Sequence, residues 1–143
     1  MSKSVSIVVR CLNENDNLKV LIPILLNQNY KDFELIFVDS GSTDGTLETI
    51  NNYILKCNNF FLYHIKKSDF TFGRSLNLGF QNSKGDIIVS LSAHCFPKNN
   101  LWLESIVEGF KLDNVGIVYG SQSPHLLTRH SESSVQRLSL IHI

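Results

Sequence analysis

The chain has 143 residues, enough for one domain with a core of its own, and its 13 basic and 13 acidic residues give a formal net charge of zero. That balance carries no electrostatic footprint for nucleic acid and no general attraction to an anionic membrane. No apolar run approaches the roughly 18–20 residues that span a bilayer, which excludes a transmembrane segment and leaves peripheral membrane association open.

Residues 5–9 are a β-branched run that reads as a buried strand. The polar loop from Arg10 to Asn17 follows, with Asx residues that favour a turn and a helix cap. Leu18, Leu21, Ile22, Leu25 and Leu26 then recur at helical spacing as one apolar face, with Pro23 within the early part of that helix. Residues 35–38 are fully apolar, as suits a strand covered on both faces of a parallel sheet, and Asp39 ends them with a charge. In open α/β sheets ligands bind at the carboxyl edge of the strands, so Asp39 and the small polar residues 40–46 are candidates for holding a base or ribose. Asp39 and Asp44 serve equally well as turn and cap residues, with Thr43 or Asp44 capping the next helix.

Leu47, Ile50, Ile54 and Cys57 form a second helix face. Residues 60–65 read as a third strand, residues 73–83 as a helix burying Leu76 and Phe80 and closed by Lys84-Gly85, and residues 86–91 as a fourth strand. Leu103, Ile106, Val107 and Phe110 place a further helix on the sheet, and residues 115–119 read as a fifth strand. Alternation of this kind predicts an α/β, Rossmann-like fold with right-handed crossovers and a mostly parallel sheet carrying helices on both faces. Residues 131–143 suggest a short helix that stops without a cap, as in a chain cut short. Cys11, Cys57 and Cys95 lack metal-ligand spacing and read as reduced thiols of a cytoplasmic protein without a secretion signal.

The first strand with its Leu12-Asn13-Glu14-Asn15 loop, and Phe37-Val38-Asp39-Ser40-Gly41-Ser42-Thr43-Asp44-Gly45-Thr46 after the second, together resemble the GT-A glycosyltransferases of family 2, especially the rhamnosyltransferase-like members. The likeness covers about residues 4–120, including Gln28 to Glu34 and Gly73 to Gly79. It implies that residues 1–143 are the nucleotide-sugar-binding portion of an inverting glycosyltransferase. Such an enzyme moves a sugar from a nucleotide diphosphate donor to a saccharide or lipid-linked acceptor in polysaccharide synthesis. On the same likeness Asn13 and Glu14 lie beside the nucleotide, Asp39 accepts from base or ribose, and Arg74 and Asn77 sit near the donor. Ser40 stands where many relatives have a second aspartate.

The family's Asp-x-Asp or Ser-x-Asp motif, whose last carboxylate binds Mg or Mn on the pyrophosphate, corresponds here to Ser92-Ala93-His94. His94 is therefore the candidate metal ligand, better suited to Mn than to hard Mg, or else a hydrogen-bonding partner of phosphate. His64, His125, His130 and His142 show no ligand spacing and read as surface residues. The carboxylate general base of the family, worth roughly 10²- to 10⁴-fold in rate, is not visible in this chain. The alternative is a truncated, non-catalytic nucleotide-binding module. A sugar nucleotidyltransferase would need a glycine-rich loop after the first strand, and a dehydrogenase a G-x-G-x-x-G there; residues 10–17 contain no glycine.

Overall fold

The computed structural model describes residues 3–112 and 114–120. They fall into two units, the first ending at Val107 and the second beginning at Glu108. In the first unit β1 (Val5–Cys11), β2 (Phe33–Asp39), β3 (Phe60–His64) and β4 (Ile87–Ser92) form one sheet in the order β3-β2-β1-β4. Every pairing is parallel, with Val5 opposite both Phe33 and Ile87, and Leu35 opposite Phe60. The apolar runs read from the sequence are thus strands: the first two extend beyond their apolar segments, the third stops one residue sooner, and the fourth starts and ends one residue later.

The connections are α1 (Asn15–Leu26), α2 (Thr46–Ile54) and α3 (Phe72–Gln81), with α4 (Trp102–Gly109) following β4. The first two crossovers step from β1 to β2 to β3 in one direction, and the third returns past both to β4. With right-handed crossovers, reversing the direction moves the connecting helix to the other face of the sheet. Accordingly Tyr53 of α2 meets Phe60, which itself meets Phe37. On the opposite face Leu76, Leu78 and Phe80 of α3 pack on Val8, Ile36 and Val38. The sheet therefore carries helices on both faces, as the strand–helix alternation predicts.

Leu18, Leu21, Ile22 and Leu25 of α1 are fully buried, while Leu26 at its end is exposed. The helix starts at Asn15, so Pro23 lies in its interior, on the exposed side. Gln28 is buried and fully used: its amide nitrogen donates to the carbonyls of Ile24 and Asn99, and its oxygen accepts from the N–H of Leu103. That side chain ties the end of α1 to the start of α4.

Helix α3 departs from its apolar pattern. Its buried residues are Ser75 and Gly79, whereas Leu76 and Phe80 are half-buried. A Cβ on Gly79 would lie 2.3 Å from a methyl of Val8, so the helix rests on the sheet through its smallest residues and wraps the larger ones around the contact. At the amino edge of the sheet, the Ser6 hydroxyl donates to Glu34 and accepts from the N–H of Gly85, which closes α3 against the strands.

The fifth strand expected at 115–119 does not form. Those residues make no ladder, and Ile117 and Tyr119 are 78% and 65% exposed. Val118 finds a local contact, against Gly109. The helix expected at 131–143, with His125, His130 and His142, lies outside the described residues.

Candidate functional site

Parallel strands bring all their carboxyl ends to one edge, so Cys11, Asp39, His64 and Ser92 end there together. The direction of the crossovers reverses between β1 and β4, and this is where an open α/β sheet leaves a crevice. The loops after β1 and β4 form its two lips.

The loops after β1 and β2 are sewn together by hydrogen bonds. The Asn13 side-chain oxygen accepts from the N–H of Thr43 at 2.8 Å, and the Asn13 N–H donates to the Ser42 hydroxyl at 2.9 Å. The Glu14 N–H donates to the Thr46 hydroxyl at 2.9 Å, and the Asn15 N–H to Asp44 at 3.0 Å. Asn13 holds a left-handed backbone conformation (φ 55°), which asparagine tolerates better than most residues. Ser40 is buried, and both its N–H and its hydroxyl donate to the carbonyl of Cys11. Asn13 and Ser40 thus hold the edge in shape.

Asp39 is 1% exposed, and its carboxylate accepts from the N–H groups of Gly41 and Ser42 and from the Ser42 hydroxyl. Gly41 takes φ 101°, a conformation few other residues adopt, which lets the loop curl back over that carboxylate. The exposed ring of His64 brings Nδ1 to 3.7 Å from the Asp39 oxygen that accepts from Gly41. Asp39 is therefore the anchor of its own loop. Asp44 accepts from the Thr46 hydroxyl and N–H and from Asn15, and these bonds, the hydroxyl first, hold its carboxyl below the usual carboxylate value. Thr43 makes no cap, and the helix begins behind Gly45 at φ 94°.

At the crevice His94 lies 61% exposed, with Nδ1 3.1 Å from Oε1 of Glu14; the other Glu14 oxygen accepts from the Asn17 side chain at 2.5 Å. Burial, and then the charge of Glu14, push the neighbouring Cys95 thiol up. Burial together with Asp39 and Glu14 holds Cys11 far above the ordinary thiol range, so it stays protonated and inert.

Arg74 and Asn77 lie one turn apart on the exposed side of α3, and the Arg74 side chain donates to the carbonyl of Asp69 at 3.4 Å. Ser92 pairs in register with Arg10, whose guanidinium lies 4.8 Å above the exposed ring of Phe72 at the start of α3. Asn13 and Glu14 are thus tied to the Asp39 loop through Ser42, Thr43 and Thr46, His94 joins them through Glu14, and Ser40 is held by Cys11, while Arg74 and Asn77 lie on the exposed side of α3. Arg10, read as the start of a polar loop, is a strand residue, and His64, read as a surface residue, is exposed and stands in register with Asp39. Arg10 had a signal, a charge on an otherwise apolar strand; His64 had none, since its place opposite Asp39 follows only from the register.

Among the described residues no three His, Cys, Asp or Glu side chains gather as a metal site. The set at the crevice is one exposed imidazole braced by one carboxylate. That set fits a single-point contribution to Mn, with phosphate oxygens and water supplying the rest, and suits Mg poorly.

Comparison with known proteins identifies the family of the chain. A family model described as Glycosyl transferase family 2 matches residues 6–138. An uncharacterized glycosyltransferase of Haemophilus influenzae is 33% identical over 96 residues, covering 67% of this chain and 38% of its own length. The mannosyltransferase PcManGT from Pyrobaculum calidifontis, solved in complex with GDP-Man and Mn2+, superposes with a TM-score of 0.71 at 22% identity, over 81% of this chain and 34% of that one. S. aureus TarS 1-349 in complex with UDP-GlcNAc superposes with a TM-score of 0.61 at 18% identity, over 82% and 38%. The chain spans 28–40% of the length of the curated relatives it matches.

Proposed function

The chain belongs to glycosyltransferase family 2, and from that premise we propose that residues 1–143 form a nucleotide-sugar-binding portion, serving inverting transfer to a saccharide or lipid-linked acceptor in polysaccharide synthesis. The observation that carries this reading is the joining of the Asp39 loop, the Asn13–Glu14 loop and His94 at the switch point of a parallel sheet. In inverting transfer an acceptor hydroxyl attacks the anomeric carbon as the nucleoside diphosphate departs. What the donor half must supply is a fixed pyrophosphate and a held nucleoside.

Asn13, Glu14, Asp39, Ser40, Arg74, Asn77 and Ser92 are the donor-binding residues on this reading. The exposed Arg74 offers a permanent charge to phosphate or a fork to the base. Asp39 meets the nucleoside when the Ser42 hydroxyl or the His64 ring yields its place, since the carboxylate is otherwise covered. His94 is the metal-side residue on this reading, its Nε2 without a partner among the described residues, and the neighbour solved with Mn2+ supports Mn as the companion ion. A divalent ion, when bound, neutralises charge gathering on the departing pyrophosphate. No described helix is long and apolar enough to cross a membrane. The three free thiols accord with a cytoplasmic setting.

Calorimetry of UDP, dTDP and GDP against wild type, Asp39→Ala and Asp39→Asn tests the reading. Loss of the charged acceptor should weaken the preferred nucleotide by about 1.5–3 kcal/mol, or roughly 10- to 150-fold. Asp39→Asn separates the effect from loop collapse, because its side-chain oxygen still accepts from Gly41 and Ser42. Unchanged affinity in both variants removes Asp39 from the site, and no nucleotide binding by wild type overturns the donor-site reading.

A further inference from the structure

We infer that Glu14 is a positioning residue for His94: it fixes the proton of the imidazole on Nδ1 and turns the lone pair of Nε2 into the crevice, where the donor's phosphates and their ion would meet it. The inference rests on the donor-site reading of the β4 loop but concerns a contact that exists without donor. An ionised carboxylate accepts and never donates, so the ring nitrogen 3.1 Å from Oε1 must carry the hydrogen. In the neutral ring the hydrogen-free nitrogen is then Nε2, the arrangement in which an outer carboxylate orients a ligating histidine.

The brace is itself held. The second oxygen of Glu14 takes a hydrogen bond from Asn17 one turn into α1. Its backbone N–H is fixed by the Thr46 hydroxyl, which donates in turn to Asp44. The Glu14 side chain is 18% exposed and that of His94 61%, so the carboxylate forms the inner wall and the imidazole the outer. The first loop, which resembles a nucleotide-holding element, thereby also sets the chemical face of the phosphate-side loop 80 residues away. It does so at the position where the family resemblance puts a histidine in place of a carboxylate.

The backbone bond from Glu14 to Thr46 does not involve the side chain, so Glu14→Ala should retain the loop. The readout is the nitrogen-15 spectrum of the His94 ring in the donor-free protein at neutral pH, which distinguishes the two neutral tautomers. Wild type should show the Nδ1–H form, and Glu14→Ala should revert to the Nε2–H form that unconstrained imidazole prefers. Mn affinity in the presence of UDP should fall about 10- to 100-fold in Glu14→Ala. A wild-type ring in the Nε2–H form, or a ring signal unmoved by Glu14→Ala, overturns the positioning role. An Nδ1–H ring in a protein that gains no UDP affinity from Mn overturns the metal reading of His94 while leaving the positioning intact.

Discussion

The Asp44 carboxylate serves two helices. It accepts from the first N–H of α1 and the first N–H of α2, where helix dipoles favour an anion. Its folded pKa lies below the ordinary 3.8, so its contribution is fully present above that value and is lost as pH falls through the lower, folded one. Asp86, whose carboxylate is held low by the N–H and hydroxyl of Ser4, adds to the same acid-side loss. Urea midpoints measured from pH 7 to pH 3 should drop below about pH 4, and Asp44→Ala should be less stable at neutral pH with a shallower acid decline. Identical pH profiles for the two proteins would show that the carboxylate contributes nothing. At this scale the place of Asp39 at a strand's end was legible in the sequence, as a charge ending an apolar run, and so was that of His94 in the loop after β4. The stitching roles of Asn13, Ser40 and Thr46 were not, because their partners lie 29–32 residues away and no periodicity records such contacts.

Apolar runs in a parallel sheet announce themselves, and all four strands of the first unit were readable for that reason. Residues 115–119 have a similar composition but no ladder, which only a partner strand can supply. Helix α3 misled in the other way: its contact with the sheet is made by Ser75 and Gly79, and hydrophobic periodicity cannot find a face defined by smallness. Propensity alone predicts that Gly79→Ala stabilises by about 1 kcal/mol. The 2.3 Å approach to Val8 predicts overpacking worth about 1–3 kcal/mol against it, so the variant should be destabilised on balance. In a Val8→Ala background the same substitution should turn favourable, and a double-mutant cycle by urea unfolding measures that change of sign. Gln28→Ala should cost about 2–4 kcal/mol, since it strands the buried N–H of Leu103 and the carbonyl of Asn99 between α1 and α4. A loss below about 0.5 kcal/mol would mean that water replaces the amide without penalty.

The sheet edge draws its parts from segments spread from Arg10 to His94, so nucleotide binding should register as stability of the whole first unit and not of one loop. A ligand that binds only the folded state adds about 2.7 kcal/mol at a free concentration 100 times its Kd. For a chain of this size that corresponds to a rise in Tm of roughly 5–10 °C. The preferred nucleoside diphosphate with Mn should produce this rise, Mg a smaller one, and chelator the smallest, because an imidazole at position 94 offers nitrogen where Mg favours oxygen. His94→Asp should reverse the order by returning an anionic oxygen to the crevice, with Mg then matching or exceeding Mn. Duplex DNA should leave Tm unchanged at physiological salt, as expected of a chain with zero net charge. Equal shifts with Mn, Mg and chelator in the wild type would exclude a metal role for His94 and leave its exposed nitrogen as a direct partner of phosphate.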